Sequence, residues 1–242
     1  MMPSPASAKP FGEPNSMGTD DLFHKRKKLK ERKAGNRKPK AGSYLIVTEG
    51  EQTEPNYFEG LAKSVQEACS GGRIDVPSFD IKGEGRNTVS LVREAARIND
   101  LPENNYQHVW VVFDKDDFDD FDEAIELAAN CGFNVAWSNQ SFEYWLCLHF
   151  DYLDEALDRS QYCSRLSSIF KRRRIDSAGY RKNMPNIYEL VTKHGDVAHA
   201  IEFAKKRRRE FEECFGADSK RSDWDPCTTV DLLVAELNAY LQ

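Results

Sequence analysis

Apolar positions first gather into an unbroken run at Tyr44-Leu45-Ile46-Val47, as in a strand covered on both faces. A helical stripe follows, with Tyr57, Phe58, Leu61, Ala62 and Val65 spaced for one face, and Ser70-Gly71-Gly72 stops it. Phe79-Asp80-Ile81 predicts a short second strand. Thr88 is placed to cap the next helix, whose face carries Val92, Ala95 and Ala96, with Pro102 beyond its end. The clearest strand runs from His108 to Phe113 and leads into Asp114-Lys115-Asp116-Asp117. A helix with Phe118, Phe121, Ile125 and Ala128 on one side comes next. Asn130-Cys131-Gly132 ends it, and Phe133 to Trp137 predicts a fourth strand. Strands alternating with helices imply a parallel sheet with right-handed crossovers.

After Ser141 the period changes. Phe142 to Phe150 reads as a buried helix, and helical stretches follow near 155–173, 186–194, 196–213 and 228–241. The expected organisation is an N-terminal arm over 1–42, an α/β domain over 43–150, and a helical extension over 151–242 packed on that core. Leu232, Leu233 and Leu237 suit either a core or a partner helix.

Composition changes this picture in three ways. No run approaches the roughly 18 apolar residues of a membrane span, and the start of the chain lacks a secretory apolar segment, so no membrane association is expected. The six cysteines are scattered without a CxxC pair, which speaks against zinc or a disulfide framework and fits a reducing cytoplasm. The net charge of -6 is uneven: residues 1–40 hold 11 basic against 4 acidic residues, leaving 23 against 36 in the rest. The arm, with HKRKKLKERKAGNRKPK at 24–40, is either a solvated tail or an electrostatic contact for nucleic acid. The runs Arg172-Arg173-Arg174 and Lys205 to Arg209 leave the same choice open.

The chemistry lies at strand ends, where parallel sheets gather ligands. The first strand runs into Thr48-Glu49-Gly50-Glu51 and the third into Asp114-Lys115-Asp116. Carboxylates brought to one sheet edge repel one another, and a hard cation such as Mg²⁺ relieves that repulsion. Gly50 would allow a sharp turn and close approach of a ligand. Asp117 extends the acid cluster, and its plainer role is a helix cap. Glu143, just past the fourth strand in an apolar setting, needs a partner if buried. Lys182 sits among turn-forming residues, as a charge-stabilising loop lysine or an exposed one. The five histidines lack ligand spacing, and Gly83-Glu84-Gly85 lacks the lysine of a phosphate-binding loop.

A strand followed by Glu49-Gly50 and a later strand ending in Asp114-x-Asp116 resembles the TOPRIM domain of topoisomerases, primases and old-family nucleases. The longer series YLIVTEGEQTEPNYFEGL, VWVVFDKDD, SNQSFEYWLCLHF, GYRKN and DPCTTVDLLVAEL resembles the RloB-like family throughout the folded region. The resemblance implies a TOPRIM-like (Rossmannoid) four-stranded parallel sheet flanked by helices, with a helical C-terminal extension. It implies Mg²⁺ or Mn²⁺ held by Asp114 and Asp116, with Glu49 as general acid or base and metal contact and Lys182 as the transition-state cation; Glu143, from its place past the fourth strand at the same sheet edge, is either a further metal ligand or positioning group, or a helix N-terminal acid that satisfies backbone amides. It implies nuclease action on DNA or RNA in prokaryotic anti-phage defence, beside an RloA-like ATPase, with an oligomer possible. Where old-family nucleases place an acid four residues after the glutamate, Thr53 stands here and the acid follows at Glu54, a departure from a two-metal pattern. Two other roles fit the same fold: a non-catalytic metal- or nucleotide-binding module of an ATPase complex, and a nucleotidyl transferase.

Overall fold

A computed structural model of the protein describes residues 42–70, 76–104, 106–117 and 119–241. The expectations for residues 1–41 of the arm, for Gly71-Gly72 and for Phe118 lie outside the described residues. Four strands, β1 (Ser43–Thr48), β2 (Ser78–Gly83), β3 (His108–Lys115) and β4 (Asn134–Asn139), form one sheet in the order β2-β1-β3-β4. Every neighbouring pair is parallel. Helices α1 (Thr53–Cys69), α2 (Thr88–Asn99) and α3 (Phe121–Asn130) connect them. This is the parallel α/β layout that the alternating pattern predicts, in the Rossmannoid form that the resemblance implies.

Because strand side chains alternate, the unbroken apolar runs feed two cores at once. Tyr44 and Ile46 of β1 and Trp110 and Val112 of β3 pack with α1. Leu45, Val47, Val111 and Phe113 point the other way, onto Val92 and Ala95 of α2 and Phe121, Ala124 and Ala128 of α3. The chain lays β2 on one side of β1 and then returns to lay β3 on the other. That reversal opens a crevice at the carboxyl ends of β1 and β3, where the acids of both strands fall.

The remaining helices, α4 (Glu143–Leu148), α5 (Arg159–Arg172), α6 (Ile187–His194), α7 (Val197–Phe215) and α8 (Val230–Asn238), gather on the α1 face. Leu233 and Leu237 are buried in that core, while Leu232 is exposed. Beyond β4, Cys227 to Thr229 runs along the edge strand. Asn139 N donates to Cys227 O at 2.8 Å, Thr229 N to Trp137 O at 2.8 Å and Trp137 N to Thr229 Oγ1 at 2.9 Å.

Several local expectations shift. Asn87, not Thr88, holds the N-cap position of α2, and the Asp120 carboxylate accepts from Val89 N at 3.3 Å. Helix α3 begins only at Phe121, so Asp117 is not its cap and is exposed. The basic run on α7 is largely built into the fold. Arg208 forms a two-pronged pair with the buried Asp231 and donates to Thr228 O at 2.8 Å. Arg207 lies over the Phe211 ring and bonds Glu210, Pro226 O and Asp154 O. Lys205 pairs with Glu202, and Lys206 lies over the Tyr152 ring. Cys69, Cys147 and Cys227 are buried, whereas Cys214 is exposed. Among the described residues no helix is long and apolar enough to cross a membrane.

Candidate active site

Glu49 directly follows β1, and its backbone N–H extends the ladder by donating to Val112 O at 2.9 Å. That bond fixes where its side chain leaves the sheet. One carboxylate oxygen, Oε2, then accepts from Asp114 N at 3.1 Å. Asp114, inside the end of β3, turns its own Oδ2 to Phe142 N at 3.0 Å. Phe142 immediately precedes α4, whose first residue is Glu143. Three segments are therefore tied by carboxylate-to-amide bonds, which are among the stronger hydrogen bonds available.

Glu143 is buried, as its apolar neighbours predict, and it has the partners it needs. Tyr180 Oη donates to its Oε1 at 2.9 Å, and Lys182 Nζ stands 3.6 Å from the same atom. The 180–184 segment is anchored to the start of α1, where Thr53 Oγ1 donates to Lys182 O and Asn56 Nδ2 to Met184 O. Lys182, one of two alternatives in the sequence, is thus solvent-reaching yet paired at the site. Asp116 also borders the site.

Glu54 joins the cluster although its spacing departs from the family pattern. As the second residue of α1 it lies buried, with its carboxylate folded back against Gly50, where any side chain would collide with it. Glycine at position 50 therefore leaves room for this acid, which would have to move aside for a Cβ. A second residue, Arg159 at the start of α5, was not marked by any motif. It lines the same cavity, whose walls also include Glu51, Gly85, Asn87 and Asn183 and whose volume is about 600 Å³. Glu49, Glu54, Asp114, Asp116 and Glu143 all face this space with Lys182 and Arg159.

The electrostatics follow from this crowding. Burial pushes the Glu49 carboxyl up to about 7; Asp116 adds to the rise, while the Asp114 amide and Arg159 oppose it. Burial likewise raises Glu54 to about 7, with Glu143 and Glu49 adding and Lys182 opposing. Asp114 is held well above the ordinary carboxylate range by burial and by the charges of Glu54, Glu49 and Glu143, against Arg159. The set is short of positive charge, all its donors are carboxylate oxygens, and it adjoins room for water, which suits a hard divalent cation. Among the described residues, no three acidic, histidine or cysteine side chains already converge in metal-ligand geometry. Glu49, Asp114 and Glu143 spend oxygens on Asp114 N, Phe142 N and Tyr180 Oη, so ligation would use their remaining oxygens or a side-chain rotation.

A family model described as RloB-like protein matches residues 44–237, from the first strand to the last helix. The chain belongs to the RloB-like family. No curated protein and no solved structure matches it. Among the described residues of this RloB-like chain no histidine lines the acid-rich cavity. His149 is buried, sharing a hydrogen bond of 3.3 Å with Tyr57 Oη and one of 3.1 Å with Trp145 O, and His108 pairs with Glu236 at 2.9 Å.

Proposed function

We propose that this RloB-like protein is a Mg²⁺- or Mn²⁺-dependent nuclease that cleaves phosphodiester bonds of DNA or RNA. The observation that carries this is the convergence of Glu49, Glu54, Asp114, Asp116 and Glu143 on one cavity beside Lys182 and Arg159. Carboxylates that raise one another's proton affinity store a demand for a cation, and the adjoining cations offer a place for an anion. Asp114 and Asp116 would hold the metal, with Glu49 and Glu143 as further oxygens. When bound, it supplies a Lewis acid that polarises the scissile phosphate.

The chain's own groups do the rest. Glu49, with a carboxyl near 7, exchanges a proton close to neutral pH, taking it from the attacking water or returning it to the leaving oxygen. Lys182 Nζ supports charge developing on the phosphate. Tyr180 and the Thr53 contact hold Glu143 and the lysine loop in register. The family resemblance extends the proposal to anti-phage defence and to an ATPase partner of the RloA type.

The test is cleavage of plasmid, single-stranded DNA, total RNA and tRNA by the purified protein with Mg²⁺ or Mn²⁺, with and without the ATPase, beside Glu49→Gln and Asp114→Ala. Cleavage lost in both variants is expected. Equal cleavage by wild type and variants would refute it. No cleavage under any condition, with stabilisation by metal retained, would favour the non-catalytic binding module.

A further inference from the structure

Three cationic side chains line the acid-rich cavity: Arg86, Arg159 and Lys182. Two are already engaged by carboxylates. Arg86 reaches Glu84 at 3.5 Å and Glu94 at 3.8 Å, and Lys182 reaches Glu143 at 3.6 Å. Among the described residues Arg159 makes no ion pair; the residue is exposed, and its Nε donates to Gln140 O at 3.0 Å. A guanidinium carries five N–H donors in a planar fork. With Nε committed, the fork is oriented and its two terminal nitrogens remain.

Both ends of that mounting are fixed. Arg159 is the first residue of α5, directly after Asp158, which forms a capping box with Gln161; Asp158 N donates to Gln161 Oε1 at 2.7 Å. The acceptor side is a turn after β4 in which Gln140 takes a φ of 74°, and Gln140 Nε2 donates to Asp225 Oδ2 at 3.1 Å. A non-glycine residue holds a left-handed conformation only where its surroundings impose it. This amounts to a donor fork set in advance at the mouth of the cavity, the arrangement that costs least to fill.

We propose that Arg159 clasps the non-bridging oxygens of a substrate phosphodiester with its terminal nitrogens, a role that rests on the nuclease function proposed above. The simpler alternative is a counter-charge for Glu49 and Asp114, both of which feel its positive field. The two differ in what they require. A counter-charge needs only one positive charge, which lysine supplies. A clasp needs the planar, two-pronged fork, which lysine lacks.

The experiment measures binding, not turnover. Fluorescein-labelled single-stranded DNA and RNA 16-mers are titrated by anisotropy with the full chain in a Glu49→Gln background, with Arg159, Arg159→Lys or Arg159→Ala, from 50 to 200 mM NaCl. Loss of a two-pronged charged contact should weaken binding about tenfold or more in both variants. Alanine should also flatten the salt dependence by about one ion, and lysine should not. Melting temperatures verify that the variants are folded. If lysine binds like arginine, charge alone suffices and the clasp is refuted; if alanine also binds like arginine, Arg159 does not touch the substrate. If the wild type neither binds these oligonucleotides nor cleaves plasmid, single-stranded DNA, total RNA or tRNA in the assay above, nuclease function itself is refuted and the clasp with it. Weaker binding in both variants with the wild type active establishes the clasp.

Discussion

Replacing Glu54 by glutamine should stabilise the protein, because this buried acid is costly to ionise. In the native state its carboxyl titrates near 7, raised from an ordinary 4.5. Between those values the folded chain binds the proton and the unfolded chain does not. Stability contributed here is therefore greatest below 4.5 and is lost as pH rises to 7. The shift corresponds to about 3 kcal/mol at pH 8, at about 1.4 kcal/mol per unit. Glutamine keeps the shape against Gly50 while removing the charge. In EDTA at pH 8 the variant should gain roughly half to all of that figure, or about 4–10 °C in melting temperature for a chain of this size. At pH 4.5 the gain should vanish. Millimolar Mg²⁺ should narrow the gap at pH 8, since a ligand that favours the ionised cluster stabilises the wild type more. Differential scanning calorimetry of the pair at pH 4.5 and 8, with EDTA or Mg²⁺, measures all three. A variant no more stable than wild type at pH 8, or equally stabilised at both pH values, would show that ionising Glu54 costs the folded chain nothing.

Other perturbations have equally definite outcomes. Arg208→Ala leaves Asp231 buried and unpaired and should cost about 3–5 kcal/mol in urea unfolding, with much of the loss recovered when Asp231 is also replaced by an apolar residue. Tyr180→Phe deprives Glu143 of its phenolic donor and should cost about 1–3 kcal/mol by the same assay. His149 is held near 4 by burial, below its ordinary 6.5, so the unfolded chain takes up the proton first as pH falls. Stability should drop by up to about 3 kcal/mol between pH 6.5 and 4, and His149→Gln should flatten that part of the pH profile.

The sheet was legible because continuous apolar runs such as Tyr44 to Val47 and Val109 to Phe113 have few other uses. Glu49 and Asp114 were legible for a topological reason: strand ends beside a reversal of winding lie next to each other. Asp117 was read as a cap because the pattern does not show that α3 starts four residues later. Glu54 stood one place from the expected acid, yet the first turn of α1 folds it back over Gly50, a rotation that linear spacing does not report. Arg159 left no trace in any motif. Its place depends on the turn at Gln140 and on the angle at which α5 leaves its cap, and neither is encoded nearby. The role of the basic run at 205–209 stayed open because the pairing of Arg208 with Asp231 and of Arg207 with Pro226 O are contacts across the fold.

The strap along β4 has a consequence in time as well as in space. Asn139 Nδ2 donates to Ser222 O at 3.0 Å and Gln140 Nε2 to Asp225, partners more than eighty positions later in the chain. The turn that orients Arg159 is thus finished only after residues 222–229 have been synthesised and laid in place. A nascent chain that has already folded its sheet still carries an open edge and an incomplete site. On the proposed function, that order of assembly would leave an unfinished copy without its oriented Arg159.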